Sequence, residues 1–179
     1  MKMVEACLVR EIEIDIMVEA AGWRDLIRDA VDIVSVAARA ALRDVPVGDP
    51  GNAIELSILL TDNAAIAELN ERWRGRSGPT NVLSFPAETD VRASDAPVLL
   101  GDVAIALETL DIEAQDAGIS PEDHLRHLVV HGVLHLCGYD HENDIDADRM
   151  ESCEIVVLEA LGVPDPYAAA ARRAEVAGR

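Results

Sequence analysis

The sequence is poor in cysteine and in positive charge, and each shortage excludes a class of function. Its three cysteines, Cys7, Cys137 and Cys153, are scattered and odd in number, which excludes a disulfide framework and a paired-cysteine zinc knuckle. Lys and Arg number 15 against 34 Asp and Glu, for a formal net charge of -19. Such a chain does not bind polyanions indiscriminately, so any contact with nucleic acid must be local.

Long apolar runs are missing as well. No segment approaches the roughly 20 apolar residues of a membrane span. Charged residues from Arg10 to Asp15 interrupt the N-terminal region, which therefore lacks the apolar stretch of a secretory signal. The sequence predicts a cytoplasmic protein with no membrane partner. Hydrophobic residues make up 50% of its 179 residues, which suffices for the core of one domain.

Histidines, by contrast, are concentrated in one place. The segment HGVLHLCGYDH puts His131, His135 and His141 at the spacing of a single metal site. The first two are one helical turn apart and share a face, and Gly138 tolerates the left-handed backbone that brings His141 back toward them. Three imidazoles and an open fourth position are typical of a catalytic zinc site, since structural zinc shells are normally closed by cysteines. We expect one Zn²⁺ per chain.

The same segment lacks the glutamate of a zinc protease. Its spacing is that of the metzincins, with Gly132 where their general base would stand. We hypothesise that Gly132 leaves room for a phosphate beside the metal. Cys137 is turned away from the ligand face and is expected to be a buried apolar residue. His124 and His127 are expected either around the metal or exposed, and not as ligands, because a helix aims only two adjacent turns at one ion.

A second candidate site is the cluster Arg72, Arg74 and Arg76, with no acidic residue between Glu71 and Glu88. These arginines can bind phosphate. They can equally cap a helix and cover apolar surface with their stems. The residues alone leave both interpretations open.

Three polar residues near these clusters also have two interpretations each. Thr80 and Ser84 can donate hydrogen bonds to an RNA backbone, or they can satisfy the local turn. Asp140 can orient a ligand histidine, or it can cap the turn before His141.

The hydrophobic pattern predicts a single domain over residues 1–167, followed by a frayed tail at 168–179. We expect an α/β (α+β) fold, with a small mixed sheet of about four strands packed with about five helices and the metal site on a central helix. Strands are predicted at 12–18, 55–60, 81–86 and 98–106, and helices at 23–43, 64–74, 106–118, 121–137 and 146–161.

Four segments of the chain, taken in order, resemble the YbeY family of bacterial endoribonucleases, the rRNA maturation factors. A weaker fifth segment runs from Leu161 to Tyr167, and the whole pattern spans about 55–167. Asn81 departs from it, since the family often has aspartate there. The four segments are Leu69 to Arg74, Pro79 to Pro86, Leu100 to Val103 and His131 to His141.

The resemblance implies a zinc-dependent endoribonuclease that prefers single-stranded RNA. Its role would be processing of the 3′ end of small-subunit ribosomal RNA and ribosome quality control, with ribosomal RNA and small-subunit proteins as partners. The resemblance also implies that His131, His135 and His141 are the zinc ligands and that Arg74 is the catalytic arginine beside the metal.

Several chemical routes and two rival functions stay open. Gly132 cannot take a proton, which leaves three routes. A metal-bound hydroxide can act without a protein base, a carboxylate such as Asp102 or Asp140 can be the base, or the RNA 2′-hydroxyl can be the nucleophile. Arg74 and the metal would stabilise the charge of the phosphorane. The rivals are a metallopeptidase-like hydrolase and a ribosome-associated assembly factor with a structural zinc, whose acidic surface would suit basic ribosomal proteins.

Overall fold

A computed structural model describes residues 11–43, 45, 52–88 and 97–168. The predicted tail from residue 169 and positions 89–96 of the loop before the last strand lie outside the described residues. Within the described ranges, every helix is too short or too polar to cross a membrane. The elements are β1 Ile12–Val18, α1 Trp23–Leu26, α2 Ala30–Arg43, β2 Ile54–Thr61, α3 Asn63–Arg74, β3 Val82–Pro86, β4 Val98–Ala106, α4 Leu107–Ala117, α5 Pro121–Leu136 and α6 Asp144–Ala160.

The four strands form one mixed sheet in the order β1-β2-β4-β3. Both β1 and β4 run parallel to β2, whereas β3 runs antiparallel to β4. This confirms the α/β fold class and the predicted mixed sheet. The edge strand β3 ends at Pro86, a place where a missing backbone N–H costs no ladder hydrogen bond.

The two faces of this sheet differ. On the covered face, strand residues such as Ile54 and Ile105 pack against α2 and α5 in the main core, with α6 behind. On the groove face, α3 covers part of the sheet by packing Ile66 and Leu69 against β3 and β4. The rest of the groove face is open. Because α5 is buried over most of its length, it is the central helix that the sequence predicted.

The helix predicted at 23–43 is divided into α1 and α2. Ile27 ends α1 in an extended conformation, with φ -134 and ψ 100. Trp23 is fully buried, and its indole N–H donates to the carbonyl oxygen of Thr61 at 3.0 Å. That bond ties α1 to the end of β2, whereas α2 lies along α5. One straight helix could not make both contacts, so the described residues contain six helices where about five were expected.

A bulge in β4 sets how closely β3 approaches. The register between β2 and β4 shifts after Glu55, and Gly101 takes φ +126. A Cβ at Gly101 would lie 2.1 Å from the carbonyl oxygen of Phe85, so only glycine allows this approach. The bulge thereby fixes the position of β3, which carries Ser84 and Phe85.

Candidate metal centre

The ligand helix begins and ends where its sequence signals predict. The Ser120 side chain accepts a hydrogen bond from the backbone N–H of Asp123 at 3.0 Å, and Pro121 occupies the first turn. After the helix, Gly138 takes φ +87, and the N–H of Tyr139 donates to the carbonyl oxygen of Leu134. The chain therefore reverses immediately after α5, as His141 requires.

The reversal brings His131, His135 and His141 together. Their candidate ligand atoms all lie within 4.8 Å of one another. The ring centroid of His141 is 5.0 Å from that of His135 and 5.5 Å from that of His131. The cluster can hold one metal ion. Its edge is accessible, since His141 is exposed whereas the other two histidines are half-buried.

The protonation of two rings follows from their hydrogen bonds. Nδ1 of His131 lies 2.7 Å from Oε1 of Glu154, and Nδ1 of His135 lies 3.0 Å from the carbonyl oxygen of Tyr139. A carboxylate and a carbonyl only accept, so both Nδ1 atoms carry the proton and both Nε2 atoms present lone pairs.

Those two Nε2 atoms, of His131 and His135, face each other at 3.1 Å. Two lone pairs at that distance repel unless a cation lies between them. Tetrahedral zinc, with Zn–N bonds of about 2.0–2.1 Å, places its nitrogen ligands about 3.3 Å apart. The donor set and its spacing therefore fit a zinc ion.

Burial favours the neutral form of His135, which is the form that binds a metal. Burial lowers the pKa of His135, and repulsion from His131 lowers it further, against the opposing hydrogen bond to Tyr139. A neutral imidazole at physiological pH keeps its Nε2 lone pair free for a ligand bond.

Glu154 on α6 is the functional residue that sequence reasoning missed. Its side chain is 1% exposed, and it accepts hydrogen bonds from His131 and from the hydroxyl of Tyr167. Nε2 of His127 lies 3.6 Å from its Oε2. Burial raises the pKa of Glu154, but the interactions with His127, His131 and Tyr167 outweigh burial and lower that pKa to about 2. Glu154 is therefore a buried carboxylate that orients His131.

One sequence signal could have revealed Glu154. It lies four residues after Met150 and four before Leu158, both fully buried, so it occupies the apolar stripe of an amphipathic helix. A carboxylate on such a stripe needs buried partners. His127, His131 and Glu154 also form a metal-like group, but the 2.7 Å contact between His131 and Glu154 is a hydrogen bond. His127 thus lies beside the candidate ligand His131.

His124 belongs to a separate network. Its Nε2 lies 2.7 Å from Oε2 of Glu113, and the Asn81 amide donates to the same oxygen at 3.0 Å. Burial lowers the pKa of His124, against the opposing effect of Glu113. Asn81 also accepts from the N–H of Val82 at 2.7 Å, so this network holds the start of β3. Asn81, which stands where the family often has aspartate, thus has the Glu113 carboxylate as the partner of its side-chain amide in this chain.

Gly132 faces the sheet. A Cβ there would lie 2.8 Å from Cγ1 of Val103 and 3.2 Å from Oγ of Ser84. The Ser84 hydroxyl donates to the Gly132 carbonyl oxygen at 3.0 Å. Glycine at position 132 is therefore needed so that α5 can approach β3 and β4. Packing is thus a reason for this glycine, whereas the sequence suggested that it leaves room for a phosphate beside the metal. The Ser84 hydroxyl likewise serves the fold.

The remaining polar candidates also have local partners. The Thr80 hydroxyl donates to Oδ1 of Asn81 at 3.4 Å, in the turn before β3. Oδ1 of Asp140 accepts from the backbone N–H of His141 at 2.7 Å, which is the turn-capping arrangement. Cys137 packs against the main core but is half-buried, where the sequence predicted a buried residue.

Arg74 lies at the end of α3, on the groove face. It lines a groove of about 710 Å³ together with Trp73, Ser84 and Asp102. Its guanidinium forms no ion pair or hydrogen bond with any described residue, and its side chain is exposed. Ser84, which lines the groove and bonds to Gly132, links this region to the ligand helix.

Fold and site together define a small α/β domain with a three-histidine cluster at the end of its central helix. The family model for Endoribonuclease YbeY matches residues 13–162. The chain belongs to the YbeY endoribonuclease family.

Individual relatives agree with this assignment. The chain is 50% identical over 157 residues to an Endoribonuclease YbeY of Azorhizobium caulinodans, covering 88% of this chain and 97% of that protein. It is 49% identical over 156 residues to the Endoribonuclease YbeY of Rhodospirillum rubrum, covering 82% and 76%. A solution structure from Thermotoga maritima is similar with a TM-score of 0.52 and 25% identity, covering 82% of this chain and 87% of that one.

Proposed function

We propose that this protein is a zinc-dependent endoribonuclease that cleaves single-stranded RNA. The observation that carries the proposal is the pair of facing Nε2 atoms on His131 and His135, whose Nδ1 atoms are both held by acceptors. Such a pair is arranged to bind a cation. The names of the relatives supply the reaction class, and the site supplies the means.

In this proposal His131, His135 and His141 hold one zinc ion per chain. When bound, zinc supplies a Lewis acid that polarises a phosphoryl oxygen and acidifies water. Glu154 and the Tyr139 carbonyl keep the protons of His131 and His135 on Nδ1 and fix the ring directions.

Arg74 is the proposed catalytic residue. Its planar guanidinium can bind two phosphate oxygens at once and stabilise the negative charge that builds up on phosphorus. The absence of an ion-pair partner among the described residues leaves that guanidinium available. Asp102 is exposed in the same groove, and Asp140 is adjacent to the candidate ligand His141, so both carboxylates stay candidate bases.

The biological setting extends the proposal. We assign the protein to maturation of the 3′ end of small-subunit ribosomal RNA and to ribosome quality control, in the cytoplasm, with small-subunit proteins as partners. The net charge of -19 supports a protein partner of opposite charge, because basic ribosomal proteins complement an acidic surface.

The test is cleavage of a labelled single-stranded RNA by the purified protein, beside Arg74→Ala and Arg72→Ala variants prepared identically. We expect Arg74→Ala to lower kcat by about 10²- to 10³-fold, the loss typical of one donor to a charged transition state. Zinc content and unfolding temperature should stay at the parent's values. Arg72→Ala is the matched control for kcat: it removes the same charge two residues away and, as a peripheral RNA contact, should raise KM and leave kcat unchanged.

Equal cleavage by all three proteins would indicate a contaminating ribonuclease and contradict the assignment of Arg74. Absence of cleavage in all three, with zinc bound, would favour an assembly factor whose zinc is structural. A metallopeptidase is disfavoured because Gly132 has no carboxylate at the position where a protease of this histidine spacing carries its general base.

A further inference from the structure

The two tryptophans of this chain have opposite environments. Trp23 is 0% exposed, whereas Trp73 on α3 is 63% exposed. Met17 and Leu99 are also exposed and line the same groove as Trp73, and a contiguous exposed apolar surface marks a binding site. Trp73 is also held in place: its ring lies 6.2 Å from that of Phe85, edge to face.

Positive charge surrounds this indole. The Arg72 guanidinium lies 5.4 Å from the Trp73 ring centroid, and Arg74 follows directly in sequence. With Arg76, three of the 15 basic residues of the chain lie within five positions. None of these three guanidinium groups is in an ion pair with a described residue, so their charge is not neutralised locally.

Trp73 and Arg74 line one end of the groove on the groove face. The groove measures about 710 Å³, and its apolar lining comes from all four strands and α3. The larger apolar side chains of this lining include Met17, Leu59, Leu69, Phe85 and Leu99. Glu88 and Asp102 line it too. Phosphates would be repelled there, so a bound nucleic acid must place its phosphates at the arginines and its bases over the apolar lining.

Base stacking can bind RNA even though the net negative charge of this chain repels it. Long-range attraction of RNA is unavailable at a net charge of -19, and only local contacts remain. Stacking of a base on an aromatic ring depends little on net charge. It also requires a base that is free of a duplex, because paired bases are already stacked on each other.

We propose that Trp73 is a base-stacking subsite for single-stranded RNA, with Arg72 and Arg74 binding the adjacent phosphates. The inference rests on the proposed function and deepens it, because it names the residue that selects single strands. It also predicts a weak salt dependence: two arginine contacts give a slope of log K against log salt of about -1.4.

The test measures binding of a short 2′-O-methyl oligoribonucleotide, whose integrity is checked after each titration, to the zinc-loaded protein. Binding should quench indole fluorescence, since Trp23 is buried and Trp73 is exposed. Anisotropy of the labelled oligonucleotide should show Kd rising about tenfold in Trp73→Ala, within the range of about 5- to 150-fold expected for one stacked base. Trp73→Phe should recover most of the affinity.

Two controls isolate the subsite. Ile112→Ala removes another exposed apolar side chain, 56% exposed on α4 and outside the groove, and should leave Kd unchanged. A duplex of the same sequence should bind weakly and quench little. In cleavage of RNA, Trp73→Ala should raise KM while kcat stays at the parent's value.

The outcomes separate this proposal from the enzyme assignment. Quenching with a Trp73-dependent Kd, but no cleavage by the parent, would support the subsite and contradict the enzyme. Cleavage by the parent, with equal Kd for parent and Trp73→Ala, would overturn the subsite and leave the groove to a protein partner. Failure of the parent to bind the oligonucleotide, or equal quenching by the duplex, would overturn it as well.

Discussion

The two faces of the four-stranded sheet differ in how closely other elements pack on them. On the covered face, α5 lies so close to β4 that a single added Cβ at Gly132 would collide with Val103. On the groove face, Trp73, Arg74 and Leu99 are exposed along an open groove. One face is rigid by packing. The other offers exposed side chains that can adapt to a ligand.

The difference suggests a division of labour. Metal ligands must keep their geometry to within a few tenths of an ångström, and close packing with a buried carboxylate provides that. A flexible, sequence-tolerant RNA substrate is better met by exposed rings and unpaired arginines. Changes on one face should therefore alter metal binding, and changes on the other should alter RNA binding.

The largest expected effect comes from removing a candidate ligand. His131→Ala should abolish zinc binding and RNA cleavage, because two imidazoles cannot hold the ion tightly enough. It should leave the affinity for the 2′-O-methyl oligonucleotide close to the parent's, since none of the three histidines lines the groove. Zinc content by atomic absorption, beside the anisotropy titration, measures both. Loss of oligonucleotide binding in a folded His131→Ala protein would show that the two faces are not independent.

A smaller effect is expected from the buried carboxylate. Glu154→Gln keeps the shape of the side chain but weakens its hold on His131, so zinc affinity should fall by about 10- to 100-fold. Competition with a chromogenic chelator measures this. At saturating zinc, kcat should return to near the parent's value, because Glu154 acts through His131 and does not touch RNA.

The same variant should change the acid stability of the metal-free protein. The folded pKa of Glu154 is about 2, below its ordinary 4.5, so its ionised form stabilises the fold above pH 4.5 and that contribution is lost as the pH falls toward 2. The contribution is roughly 3 kcal/mol. Glu154→Gln should flatten this part of the pH profile of the free energy of unfolding. An unchanged profile would contradict the role assigned to the carboxylate.

The smallest effect is expected at Gly132. Alanine is favoured over glycine inside a helix by about 1 kcal/mol, but overpacking costs about 1–3 kcal/mol. We expect the clash to prevail because Val103 is β-branched and stiff, giving a net loss of about 1 kcal/mol in urea unfolding. Ser57→Ala, on the groove face, is the control and should change stability by less than about 0.5 kcal/mol. A more stable Gly132→Ala protein would show that α5 can move away from the sheet.

Local patterns predicted much of the site. The spacing of His131 and His135 is a property of any helix, and Gly138 takes the left-handed turn that its lack of a side chain permits. The cap at Ser120 and the edge position of Pro86 follow from hydrogen-bonding capacity alone. Such features depend on residues a few positions apart, which is why the sequence indicates them.

Other features depend on residues distant in the chain. The break after α1 follows from a hydrogen bond between Trp23 and Thr61, 38 positions apart. Glu154 reaches His131 across 23 positions, and periodicity shows that it is buried but cannot show which partner it meets. Gly132 is needed because of Val103 on β4. No spacing rule contains these contacts.

The sequence by itself determined the class of the protein: strands and helices in alternation, a three-histidine segment, and the motifs that resemble the YbeY family. Helical spacing, turn residues and metal-ligand types depend on short segments, so they can be predicted without knowledge of the fold. Only the tertiary structure decided that Glu154 accepts a hydrogen bond from the candidate ligand His131 and that Trp73 and Arg74 share an open groove. Those pairings depend on how the sheet and helices pack, because packing alone brings distant residues into contact.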